Sequence, residues 1–142
     1  MVDKRNEFLS FMRSHPKPLL ADGATGTLLH ARGVGFNESF DLLNLTQPEL
    51  VSEIHRAYID AGSDLIYTNT FGANPYKLNE HGLVDKLRGI NKSGVKLARE
   101  AASGSSRKVF VAGDIGPLGI RLVPYGRVHE EEARRAFRGR ST

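Results

Sequence analysis

The sequence predicts an α/β protein with a parallel sheet. Two observations carry this: short apolar, β-branched segments alternate with stretches of helical periodicity, and each such segment runs at its C-terminal end into polar or glycine-rich sequence. That order requires parallel crossovers of the kind found in doubly wound sheets and in (β/α)8 barrels, and periodicity alone does not choose between them.

The elements follow in chain order. Asp3 to Ser14 reads as a helix ahead of the sheet, broken by His15-Pro16-Lys17-Pro18. Pro18–Asp22 is a weak first strand, and Asp64–Thr70 and Lys108–Asp114 are stronger ones. From Gln47 to Gly62 the residues Leu50, Val51, Ile54, Ala57, Tyr58 and Ala61 fall on one helical stripe. Thr46 is the expected N-cap there, Pro48 suits the first turn, and Gly62 ends the helix. A second helix is predicted from about Val84 to Ala102, with Leu87, Ile90, Leu97, Ala98 and Ala101 inward and Gly94 weakening it. A third begins near His129, where Glu130-Glu131-Glu132 suits the positive end of the helix dipole.

Composition narrows the function classes. At 142 residues, 39% hydrophobic and 25% charged, the chain is an ordinary soluble composition for one domain or part of one. No apolar run nears the ~20 residues needed to span a bilayer. The first residues mix acids with bases and lead into no apolar stretch, so a cytoplasmic location is expected. Residues 121–142 hold six arginines and three glutamates, which places +3 of the net +4 at one end. That basic end has few aromatics and no reading motif, so neither a nucleic-acid nor a membrane partner is expected. The chain contains no cysteine, which excludes disulfides, cysteine nucleophiles and thiolate metal sites of its own.

The candidate chemistry lies at the three strand ends. Asp22 either accepts hydrogen bonds from a substrate ammonium, with the glycines beside it offering backbone N–H groups to a carboxylate, or caps the turn that follows. Gly23-Ala24-Thr25-Gly26-Thr27 lacks both the Walker lysine and the three-glycine dinucleotide spacing. Thr68 and Thr70 share one face of their strand and Asn69 opposes them. Asp114 either orients a substrate or holds a neighbouring rim loop. The five histidines are scattered, with no pair at a metal-ligand spacing, and read as surface or packing residues.

Four blocks, in order, resemble the homocysteine S-methyltransferase family: Asp22-Gly23-Ala24-Thr25-Gly26-Thr27; Leu43-Asn44-Leu45-Thr46-Gln47-Pro48-Glu49-Leu50-Val51; Ala61-Gly62-Ser63-Asp64 leading into Thr68-Asn69-Thr70-Phe71-Gly72-Ala73-Asn74; and Ala112-Gly113-Asp114-Ile115-Gly116-Pro117-Leu118-Gly119. The family includes the homocysteine-binding modules of cobalamin-dependent methionine synthases and the betaine-dependent enzymes. The resemblance implies a (β/α)8 barrel that transfers a methyl group to the homocysteine thiol, giving methionine, from a methyl donor that these residues do not specify.

It also implies zinc held by three late cysteines, which this chain lacks. By motif position, Asp22 would take the substrate ammonium, Gly23 would offer backbone near the amino-acid end, and Thr68 and Phe71 would line the same pocket. Because a full barrel needs roughly 250 residues, the expectation is its N-terminal portion, about three β/α units. Residues 1–17 then form a helix and lead-in, 18–137 a partial homocysteine-binding barrel domain, and 138–142 an irregular tail. Such a piece is expected to be truncated and inactive alone. The alternatives are a stand-alone amino-acid-binding module and one half of a split barrel that another chain, the missing C-terminal part, completes.

Overall fold

The structure, a computed structural model, describes residues 4–139. It is an α/β fold in which helices pack against a small parallel sheet. Strand β1 (Leu65–Tyr67) pairs in parallel with β2 (Phe110–Ala112) in the register Leu65↔Phe110, Ile66↔Val111, Tyr67↔Ala112. Both strands are shorter than the sequence suggests. Pairing runs on to the Thr68 N–H, which donates to the Ala112 carbonyl, but Thr70 N–H then turns back to the Thr68 carbonyl and the chain leaves the sheet.

The expected first strand is reduced to a single parallel bridge, Ala21↔Leu65. Pro18 has no N–H to give, and the Leu20 N–H goes to the Asp64 carboxylate instead of to a strand. The segment nevertheless holds its place beside β1. The Leu20 carbonyl accepts from Asp64 and Leu65 N–H, and Asp22 N–H donates to the Leu65 carbonyl.

Helix α1 (Lys4–Ser14) precedes the sheet, and Phe8 and Phe11 lie against the ring of Phe110 at 5.0 and 5.2 Å between centroids. Its predicted start, Asp3, lies outside the described residues. Helix α2 (Thr25–Ala31) opens within the glycine-bearing block after Asp22, and α3 (Leu43–Thr46) follows a 3-10 turn at Phe40–Leu42. Neither helix is predicted by the sequence pattern, since both are too short to establish a period.

Helix α4 (Pro48–Asp60) starts at its proline as expected, but Gln47, not Thr46, is the residue at the cap. Thr46 is the last residue of α3, and its hydroxyl donates back to the Leu42 carbonyl at 3.3 Å, so it is not available to α4. The buried face of α4 is Val51, Ile54, His55 and Ile59, with Leu50 and Tyr58 at its margins. Ala57 and Ala61, expected on the inner stripe, are exposed. Small side chains tolerate solvent at little cost, so the helix turns its larger apolar residues inward. Gly62 ends the helix with φ +114, the left-handed conformation that a glycine adopts without strain.

Helix α5 (Pro75–Asn79) is a further short element after β1. Helix α6 (Leu87–Ser103) follows a 3-10 turn at Val84–Lys86 and buries Ile90, Gly94, Leu97, Ala98 and Ala101. The central cluster joins α4, β1 and α6 through Ile59, Ile66, Ala98 and Ala101. Helix α7 (Glu130–Arg138) starts after His129, whose N–H donates to Glu132 Oε1, and sets Ala133 and Ala136 on Leu118. It continues through Arg138, and residues 140–142 lie outside the described residues. Among the described residues, no helix is long and apolar enough to cross a membrane.

Candidate functional site

The strand ends open into a cleft of about 590 Å³ whose walls include Gly23, Asp41, Thr68, Phe71, Lys77 and Asp114. Three of the four residues singled out from sequence therefore meet there. The fourth, Asp22, does not itself line the cleft. Its Oδ2 accepts the Tyr67 N–H at 3.0 Å, and its Oδ1 is buried with no hydrogen-bond partner. Desolvation raises the Asp22 pKa and the charge of Asp114 adds to that, while the Tyr67 N–H opposes them. The Tyr67 bond crosses from the first strand segment to β1, beyond the local turn.

Gly23 sits where a side chain would not fit freely. A Cβ there would lie 3.1 Å from the Tyr58 hydroxyl. That hydroxyl is itself raised in pKa by desolvation and by the Asp22 charge. The glycine thus lets α4 approach the first strand end, leaving its backbone on the cleft wall.

Thr68 and Thr70 are both buried and form a closed hydrogen-bond ring with the backbone of Asp114. The Asp114 N–H donates to Thr68 Oγ1 at 3.0 Å, and the Thr70 hydroxyl donates to the Asp114 carbonyl at 2.9 Å. The two hydroxyl oxygens are 2.7 Å apart. Since the Thr70 proton is committed to the carbonyl, the Thr68 hydroxyl donates to Thr70, and the ring runs in one sense. Its effect is to dock the turn after β2 onto the turn after β1. Gly116 N–H adds a bond to the Phe71 carbonyl at 3.2 Å. Of the two readings open for Asp114, its backbone does hold a neighbouring rim loop in place.

Phe71 presents a half-exposed ring, 51% accessible, with the Lys77 ammonium 4.7 Å from its centroid. Asn69 reaches the other way, as its place on the strand suggests. Its amide donates to the Phe40 carbonyl at 2.8 Å and to Asn44 Oδ1 at 3.0 Å.

Three buried polar residues build this rim without having been singled out. Asp41 Oδ1 accepts the Gly72 N–H at 3.0 Å, and a Cβ on Gly72 would stand 2.5 Å from Asp41 Oδ2, so the carboxylate needs a glycine there. Asn44, 1% exposed, donates to the Asn69 and Ile90 carbonyls at 2.7 and 3.2 Å. Asn74 caps α5. Only the last had a local signal, an asparagine before a proline at a helix start. His55 is buried and both its ring nitrogens lack hydrogen-bond partners, so burial lowers its pKa to about 4 and it packs in the neutral form.

The residues present do not fit a metal. There is no cysteine in the sequence, and among the described residues no group of three His, Asp or Glu side chains could hold an ion.

A parallel β/α sheet with its polar cleft at the carboxyl ends of the strands defines the class: an α/β protein whose cleft is made by strand-end loops. Within that class the chain belongs to the homocysteine S-methyltransferase family, whose family model matches residues 19–142. It is 35% identical over 128 residues to the methionine synthase of Mycobacterium tuberculosis, which covers 84% of this chain and 11% of that protein. Among solved structures it is similar to the homocysteine methyltransferase MmuM from Escherichia coli. The oxidized form matches with TM-score 0.64 and 32% identity over 71% of this chain and 38% of that one. The metallated form matches with TM-score 0.64 and 30% identity over 73% and 40%. The chain thus spans about a tenth of the methionine synthase and about two fifths of MmuM.

Proposed function

We propose that the cleft holds the amino-acid end of homocysteine. The chain then supplies the first three β/α units of a (β/α)8 barrel that methylates the homocysteine thiol to give methionine. The observation that carries this reading is the meeting of Gly23, Thr68 and Phe71 on one cleft at the strand ends, in a chain whose family match runs through all three.

The roles differ in kind. Gly23 offers backbone, and Phe71 offers an apolar face to the substrate's methylene groups. Thr68 acts through the ring that fixes Asp114, because its hydroxyl proton is already given to Thr70. Asp22 takes the ammonium by turning its carboxylate away from the Tyr67 N–H, a move that also gives its orphaned oxygen a partner. A thiol of ordinary pKa, ~8.5, is mostly protonated at neutral pH, and only its thiolate attacks a methyl donor. The zinc that the resemblance implies would need ligands that this chain does not contain, so no step is assigned to it.

The isolated chain is expected to bind homocysteine weakly and to show no methyl transfer from betaine, a methylsulfonium compound or methyl-corrinoid, with or without zinc. Titration calorimetry and a methionine-release assay check the two halves separately. Sustained turnover would refute incompetence, and an absence of binding would refute the site.

A second reading, that another chain completes the barrel, is favoured by one observation. Among the described residues, no strand pairs with the outer edge of β2, and an unpaired strand edge is a template for pairing with another chain. A mass by light scattering that rises on mixing with the C-terminal part of a family member would support this reading, while binding of homocysteine by a stable monomer would favour a self-sufficient module.

A further inference from the structure

We propose that Lys77 determines the specificity of the cleft by receiving the carboxylate of the bound amino acid, an inference that rests on the homocysteine reading above. The lysine is held from both sides. At its backbone, the buried Asn74 carboxamide accepts the N–H groups of Tyr76 and Lys77, each at 3.1 Å, and donates to the Pro117 carbonyl at 3.3 Å. The start of α5 is thereby fixed to the turn after β2. Along its stem, Gly119 brings that same turn close: a Cβ there would lie 3.5 Å from Lys77 Cε and 3.6 Å from Cγ. At its tip, Nζ stands 4.7 Å over the Phe71 ring.

The charge of this lysine is left without a counter-ion. Among the described residues no carboxylate lies within ion-pair distance of Nζ, and the ring face of Phe71 is its one partner. A ring face attracts a cation but leaves ammonium donors that an anion satisfies better. Among the described residues, Lys77 is also the one lysine or arginine on the cleft wall, whereas Glu38, Asp41, Glu80 and Asp114 are acids on the same wall. A zwitterionic amino acid matches that polarity: its ammonium goes to Asp22, as proposed above, with these acids adding to the negative field, and its carboxylate goes to Lys77.

The experiment compares two ligands that differ only in the carboxylate. Homocysteine and 3-aminopropane-1-thiol, which keeps the thiol and the amine, are titrated by NMR into the wild-type chain, Lys77→Gln and Lys77→Arg. The expected result is a preference for homocysteine in the wild type. That preference falls about tenfold in Lys77→Gln through homocysteine alone and returns in part in Lys77→Arg. Equal losses for both ligands, or an unchanged ratio, would overturn the assignment of Lys77 while leaving the cleft as the substrate site. A wild-type chain that binds neither ligand would overturn the substrate reading, and the role of Lys77 with it.

Discussion

Replacing Gly94 by alanine separates local propensity from packing, because the two predict opposite signs. Gly94 lies in the interior of α6, and alanine there gains about 1 kcal/mol of helix propensity. The site itself has no room. An added Cβ would stand 2.7 Å from Asn44 Nδ2 and 2.7 Å from Thr70 Cγ2, and both neighbours are buried. Neither can swing away freely. Asn44 is held by the Asn69 and Ile90 carbonyls, and Thr70 by the Asp114 carbonyl.

Overpacking a core of this kind costs roughly 1–3 kcal/mol. Displacing a buried amide from its acceptors adds about 1–3 kcal/mol. Packing outweighs propensity, and Gly94→Ala is expected to lose about 1–5 kcal/mol of stability in all. Urea unfolding followed by circular dichroism measures this directly. A variant as stable as the wild type, or more stable, would show that the helix slides or that the Asn44 contact relaxes. The reasoning from fixed neighbours would then fail.

Thr70→Val keeps the shape and removes the hydroxyl that closes the Thr68–Asp114 ring. It is expected to cost about 1–3 kcal/mol and to weaken homocysteine binding, whereas Thr70→Ser restores both, as unfolding and titration would show. Stability should also fall with pH through His55. Its folded pKa is lowered from 6.5 to about 4, so the contribution is full above 6.5 and is lost progressively as the pH drops toward 4. The loss amounts to about 3 kcal/mol. Asp22 has the opposite sign, since its raised pKa gives back stability as it protonates in acid. Urea midpoints at pH 7.5 and 5 in the wild type and His55→Gln should therefore show a slope that the variant loses.

Gly94 also shows why parts of this fold could be read from sequence and parts could not. The long helices and β1 and β2 are legible because their apolar residues recur along the chain at a fixed period, as Val51 and Ile54 do on α4 and Ile90 and Leu97 do on α6. A glycine in such a run reads as a weak point, since the sequence carries propensity but not neighbours. What Gly94 faces is Asn44 and Thr70, which are 50 and 24 residues away, and only the packed structure brings them together.

The site divides in the same way. Gly23, Thr68 and Phe71 could be placed because they follow strands, and strand ends converge in any parallel β/α sheet. Asp41 and Asn44 could not, because they lie in the 3-10 turn and in α3, both too short for a period to point inward. Their buried polar atoms become meaningful only with the partners supplied by Gly72 and Asn69. The orientation of Asp22 was illegible for the same reason: an aspartate before a glycine reads as a turn cap or a ligand, and its actual partner, the Tyr67 N–H, is 45 residues away. Chemistry that depends on position along a strand is thus visible in the sequence, while chemistry that depends on which distant backbone group needs a partner is not.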